Sequence, residues 1–329
     1  MSNYFINSMN ITYSLKQFNF LLNKYSDHRR LNRHDQIRFY NFWDTQLPHE
    51  MWFARFIQHH KLTSNYSAKI NFYSVLGPVE TLKYRRKGLN IFFSGENMHA
   101  ERFNAYRAVC EKKPFDLSIG FDNDDLGSNV RFPLWILYMF EPESTFEDIK
   151  AKLAWLSDVK TGGRTRFCSL VASHDWNGIR GEIVDALQSV DLVSSGGRFR
   201  QNTDELQISC NDNKHEFLKQ FKLNICPENS NAEGYVTEKI FQSIEAGCIP
   251  VYWGANNKPE IDILNQDAIL FWNQGGDNAN LLTVISDLIA DENKYTNFAS
   301  QQRFLPHAAE VIWSYFETLE QKLKYLTSK

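Results

Sequence analysis

The chain has 329 residues, 43% of them hydrophobic and 14% aromatic, with a formal net charge of −3. It is longer than one typical domain, and two domains of roughly 150 residues each are expected, with apolar side chains enough for two ordinary cores. A balance this close to neutral lacks the cation excess of a general nucleic-acid binder, so no nucleic-acid partner is expected.

Residues 1–36 are polar and read as an N-terminal appendage. Ile11, Leu15, Phe18 and Leu22 have helical spacing, which suits a helix docked on the body. His28, Arg29, Arg30, Arg33, His34 and Arg38 form a basic cluster whose ordinary reading is a solvated face; contact with anionic lipid or glycan is the alternative. Strands are predicted over 37–42, 69–75, 89–94 and 115–121, with a helical stretch ending at His60. The aromatic-dense segment 132–140 reads as buried packing. A charged stretch, 141–163, ends in Thr161-Gly162-Gly163 and marks a domain boundary. The expected layout is a first domain over 37–160, a second over 161–305, and a terminal helix over 306–329.

The second half begins with a strand at 166–172. Ile179, Ile183, Leu187 and Val190 mark a helix, and 191–194 a short strand before Gly196-Gly197. A short helix at 215–220 follows, then strands at 221–226, 249–253 and 268–272. Helices are predicted at 280–289 and 306–326, the last with Ile312, Phe316, Leu319 and Leu323 as its apolar stripe. Strands alternating with helices indicate parallel α/β sheets in both halves.

Five cysteines, Cys110, Cys168, Cys210, Cys226 and Cys248, form no C-x-x-C pair and have no histidine at zinc spacing. Cys168, Cys226 and Cys248 fall in or beside predicted strands, where buried, reduced thiols are expected. No apolar run is long enough to cross a bilayer and the N-terminus has no secretory pattern. A cytoplasmic setting is expected, with peripheral contact at the inner membrane left open.

The segment 221–254, FKLNICPENSNAEGYVTEKIFQSIEAGCIPVYWG, is a strand–loop–helix–strand unit. Thr237 opens the helix; Ile240, Phe241 and Ile244 share its apolar face; Gly247 stands where it should stop. Free N–H groups at such a strand-to-helix junction favour an anion. Lys239 sits in the first turn, where the helix dipole disfavours a cation by roughly 0.3–1 kcal/mol. Either an anionic ligand such as a diphosphate offsets that cost, or Lys239 is a surface residue beside Glu238. Arg180 falls at the corresponding junction of the preceding unit.

This segment resembles the donor-binding motif of the α1,3-fucosyltransferases: Glu228-Asn229-Ser230, a polar loop, Tyr235-Val236-Thr237-Glu238-Lys239, then Ile249-Pro250-Val251-Tyr252-Trp253-Gly254. Pro227 departs from the pattern, standing where the family usually carries an aromatic residue. Phe92-Phe93-Ser94-Gly95-Glu96-Asn97, Arg131-Phe132-Pro133-Leu134 and Val171-Ala172-Ser173 with Arg180 extend the similarity, which runs over about residues 37–272. The resemblance implies an α/β chain of the GT-B class, two Rossmann-like domains facing across a cleft, the first (37–160) binding the acceptor, the second (161–305) the GDP-sugar, and the helix over 306–329 packing back toward the first. It also implies an inverting transfer of L-fucose from GDP-fucose to a glycan hydroxyl, the 3-OH of N-acetylglucosamine being the expected acceptor. A GT-B transferase with another GDP-sugar or acceptor, and a nucleotide-sugar-binding protein without catalysis, are the alternatives.

Inverting transfer needs a base for the acceptor hydroxyl, charge neutralisation on the departing diphosphate and stabilisation of an oxocarbenium-like sugar. Glu96 follows a predicted strand; by resemblance it is the base, and otherwise a capping or loop carboxylate. Arg180 and Lys239 match donor-phosphate positions, Arg with a planar fork and Lys as a point charge. Glu238 matches a residue that meets a donor hydroxyl or the developing charge, and is otherwise a favourable first-turn carboxylate. Asn229 and Tyr235 match donor contacts and would otherwise be ordinary turn residues. No obligate cofactor is expected, a divalent metal at most stimulating the reaction. The run Asp122-Asn123-Asp124-Asp125 resembles a metal-binding Asp-x-Asp signature but reads better as a solvated turn. Ser173-His174-Asp175 holds hydrolase residue types that cannot form a relay as sequence neighbours.

Overall fold

The computed structural model describes residues 35–42, 47–122, 128–158 and 163–329. The predicted helix and basic residues before 35, Asn123 to Asp125 of the acidic run, and Thr161 and Gly162 lie outside them. The chain divides into two compact units, one ending at Phe132 and including Glu317–Lys329, the other spanning Pro133–Phe316.

The first unit carries β1 (Ile37–Tyr40), α1 (Trp52–His59), β2 (Ile70–Tyr73), α2 (Glu80–Lys83), β3 (Leu89–Phe93), α3 (Asn104–Lys112), β4 (Leu117–Gly120) and β5 (Asn129–Arg131). The strands pair in chain order as one parallel sheet. Four of the five answer the predicted strands. β5 went unread because Asn129-Val130-Arg131 is too short to display a period. The core is aromatic: Phe53 of α1 stacks on Phe72 at 5.2 Å and meets Phe93 edge-on at 5.0 Å.

The second unit opens with α4 (Leu134–Met139) and α5 (Phe146–Ser157), then β6 (Arg166–Leu170), α6 (Ile179–Leu187), β7 (Val193–Ser195), α7 (Glu205–Ile208) and α8 (Lys214–Leu218). It continues through β8 (Phe221–Ile225), α9 (Glu238–Glu245), β9 (Ile249–Tyr252), β10 (Leu270–Phe271), α10 (Ala279–Ala290) and α11 (Glu292–Ala299). α12 (Ala308–Thr327) buries Ile312, Phe316, Leu319 and Leu323, and its residues from 317 onward cluster with the first unit. The charged stretch after residue 141 is largely helical: Thr145 accepts the Asp148 N–H and Asp148 accepts the Thr145 N–H, a capping box whose Ser/Thr-x-x-acid spacing was legible in the sequence.

The units part at residue 132, upstream of the Thr161-Gly162-Gly163 boundary, because α4 packs on the second unit. Trp135 stacks on Phe241 at 4.1 Å and donates its indole N–H to Glu260 Oε1 at 2.9 Å. The second sheet, also parallel, has the order β10-β9-β8-β6-β7. From β6 the chain steps outward to β7, then returns past β6 to lay β8 on its other side. The loops leaving β6 and β8 therefore diverge, and a crevice opens at the carboxyl ends of these two strands. Cys168, Cys226 and Cys248 are buried and free, as read; burial pushes the Cys248 thiol up to about 12.

Candidate functional site

A cavity of about 420 Å³ occupies that crevice. The segment after β6 contributes Ala172, Ser173 and His174 to its wall, and α6 contributes Arg180. The segment after β8 contributes Cys226, Pro227 and Asn229, and α9 its first two residues, Glu238 and Lys239. Of the six residues singled out in sequence, four thus share one cavity.

Arg180 joins the two sides. Its Nη1 donates to the His174 carbonyl at 2.7 Å and its Nη2 to Asn229 Oδ1 at 2.8 Å. Asp175 accepts the backbone N–H groups of Arg180 at 3.1 Å and Gly181 at 2.8 Å, closing the first turn of α6. That explains Ser173-His174-Asp175: the aspartate secures a helix end. Burial pushes the guanidinium below its ordinary value, against the pull of Asp175 and Glu228, and at neutral pH an arginine still carries its charge.

Lys239 is no surface residue. Its side chain is 19% exposed, and its ammonium lies 3.3 Å from Glu228 Oε2 and 3.6 Å from Glu238 Oε1. Thr237 Oγ1 accepts from Lys239 at 2.7 Å and donates to Glu228 Oε2 at 2.6 Å. Glu228, fully buried, also accepts the Thr237 N–H at 2.8 Å. Burial alone would lower the Lys239 pKa; Glu228 and Glu238 outweigh it and hold the ammonium above its ordinary value. Burial pushes the Glu228 carboxyl up while Lys239 draws it back. For Glu238, burial raises the carboxyl, but Lys239 and then Lys214 overturn it and leave it below the ordinary range. Two carboxylates therefore already offset the helix-dipole cost at Lys239, before any ligand does so.

Tyr235 is buried at 1% exposure and does not line the cavity, though it is near enough to act on the Arg180 charge. Glu96 belongs to the first unit, just beyond β3. Its N–H is accepted by Ser94 Oγ at 3.1 Å, and Arg102 Nη2 lies 2.5 Å from its Oε2. Asp122, the described end of the acidic run, pairs with His99 at 3.1 Å. Sequence reasoning missed Glu228, Asp175 and Lys214. The first two lay inside motifs already quoted, without a role; Lys214 carried no signal, being one lysine in a polar stretch.

The profile of the alpha-(1,3)-fucosyltransferase FucT N-terminal domain matches residues 37–138, and that of the C-terminal part of glycosyltransferase family 10 (fucosyltransferase) matches residues 161–324. The chain belongs to this fucosyltransferase family. A Helicobacter pylori alpha-(1,3)-fucosyltransferase FucT is 31% identical over 210 residues, 56% of this chain and 41% of that protein. An Arabidopsis thaliana alpha-(1,4)-fucosyltransferase is 27% identical over 92 residues, 28% of this chain and 22% of that protein. The chain thus spans less than half the length of these curated relatives. A crystal structure of an alpha1,3-fucosyltransferase superposes with a TM-score of 0.57 at 24% identity, covering 87% of this chain and 89% of that one. Another, with GDP-fucose, gives 0.55 at 22% identity. The shared fold is GT-B, with two Rossmann-like units. Among the described residues no helix is long and apolar enough to cross a membrane.

Proposed function

We propose that the chain is an inverting fucosyltransferase that moves L-fucose from GDP-fucose to a glycan hydroxyl, the 3-OH of an N-acetylglucosamine residue. The acceptor oxygen bonds to the anomeric carbon as the bond from that carbon to the diphosphate oxygen breaks. The electron pair leaves with GDP, and the hydroxyl proton passes to Glu96. Arg180 and Lys239 neutralise the charge gathering on the diphosphate, Asn229 holds the Arg180 fork, and Glu238 opposes the positive charge developing on the sugar. These cations serve in place of an obligate metal, so turnover should persist in EDTA. Action in the cytoplasm on precursors of surface glycans, with peripheral contact at the inner membrane, completes the proposal.

One observation carries this reading. Arg180 and Lys239, from two separate strand-to-helix junctions, line a single cavity at the switch point of the second sheet. Incubation with GDP-fucose and N-acetyllactosamine should yield GDP and a fucosylated product, whereas other nucleotide sugars should fail to transfer. Glu96→Gln should abolish turnover and leave GDP-fucose binding near normal; unchanged turnover would remove Glu96 from the role of base.

A further inference from the structure

Lys214 has no part in the reading above, yet it stands in the cavity wall. It is the first residue of α8, half-buried, and its Nζ donates to Gln242 Oε1 at 2.7 Å. Gln242 lies one turn along α9 from Glu238, so the two side chains share a face of that helix. A cation from a separate element is thereby anchored on the face that carries Glu238.

Three charged groups act on the Glu238 carboxylate. Lys239 comes from the same helix, 3.6 Å away; Glu228 comes from the segment after β8; Lys214 comes from α8. Lys239 is divided between two carboxylates, since it lies 3.3 Å from Glu228 as well. For Lys214 the carboxylate that acts most strongly is Glu238.

We infer that Lys214 is a positioning residue for the transfer reaction: held by Gln242, it keeps Glu238 ionised in the cavity wall, so that a carboxylate and not a carboxylic acid meets the donor. The inference rests on the donor-cavity reading. Without Lys214, Glu238 would have to share Lys239 with Glu228, and a desolvated carboxylate so placed takes up a proton closer to neutral pH. Burial pushes the Lys214 ammonium below its ordinary value and Glu238 pulls it back.

The test follows Glu238 itself, by carbon-13 NMR of the full chain with labelled glutamate, its signal assigned by the loss of that signal in Glu238→Gln. Lys214→Met should raise the Glu238 midpoint, and Lys214→Arg should restore it. An unmoved midpoint in folded Lys214→Met, or in Lys214→Gln should the methionine variant not fold, overturns the inference. In the transfer assay the acidic limb of kcat/KM against pH should move upward with the midpoint. Lys214→Met combined with Glu238→Gln should lose no more activity than Glu238→Gln alone; a further loss would mean that Lys214 acts by another route and would also overturn it. A wild-type chain that transfers no fucose, while the midpoint moves as stated, would defeat the functional reading and leave the Lys214–Glu238 coupling standing.

Discussion

Lys239 shows how one residue can satisfy a structural demand and a chemical one together. Its ammonium is held by Glu228, Thr237 and Glu238, which fixes its position at the mouth of the α9 dipole. Hydrogen bonds to charged groups are worth about 1.5–3 kcal/mol, so Lys239→Met should weaken GDP binding about tenfold to a hundredfold in calorimetry. An unaltered dissociation constant would sink the phosphate assignment. The same variant tests the pair's part in stability. The folded pKa of Lys239 lies above the ordinary 10.5, so its contribution is fully present below that pH and is lost as pH rises through the folded value. Between neutral pH and about pH 10, urea titrations of wild type and variant should differ by a constant amount, and the difference should shrink as pH rises through the raised folded value.

Among the elements, α9 and its flanking strands carry the site, and their glycines set its tolerances. Gly247, φ +74°, follows the last turn of α9 and ends it as its position in the sequence predicted. Gly254, at the end of Ile249-Pro250-Val251-Tyr252-Trp253-Gly254, has φ +140°, and a Cβ there would lie 2.7 Å from Glu228 Cγ and 2.8 Å from its Cβ. The bare backbone is what lets Glu228 reach Thr237 and Lys239. Gly254→Ala should displace Glu228, cost about 1–3 kcal/mol in urea denaturation and weaken GDP binding as well. Stability lost with GDP affinity intact would mean that the Glu228 contact does not govern the cavity. The helix itself was readable from Thr237, Ile240, Phe241 and Ile244. That Thr237 would turn its hydroxyl to Glu228 and Lys239 instead of capping the helix was not.

At the scale of the whole molecule, the division of the chain depends on α4, whose six residues from Leu134 to Met139 reveal no period of their own. Trp135 is fully buried, stacked on Phe241 and bonded to Glu260, so it belongs to the unit that holds the cavity. Trp135→Ala should cost about 3–5 kcal/mol, read as a lower urea midpoint, and Trp135→Phe less, since it keeps the ring contact and loses only the indole donor. Equal losses from both would assign the cost to the hydrogen bond. From sequence alone came the strands and helices long enough to show their period, the burial of the strand cysteines, and the family through its ordered motif, because all of these are written in residues close together along the chain. Tertiary structure alone decided that Arg180 would be held by Asn229, 49 positions on, that Glu228 would bind Lys239, and that Lys214 would meet the Glu238 face of α9. Charge pairing acts through space, over a few ångströms, and only the path of the chain determines which distant side chains come that near.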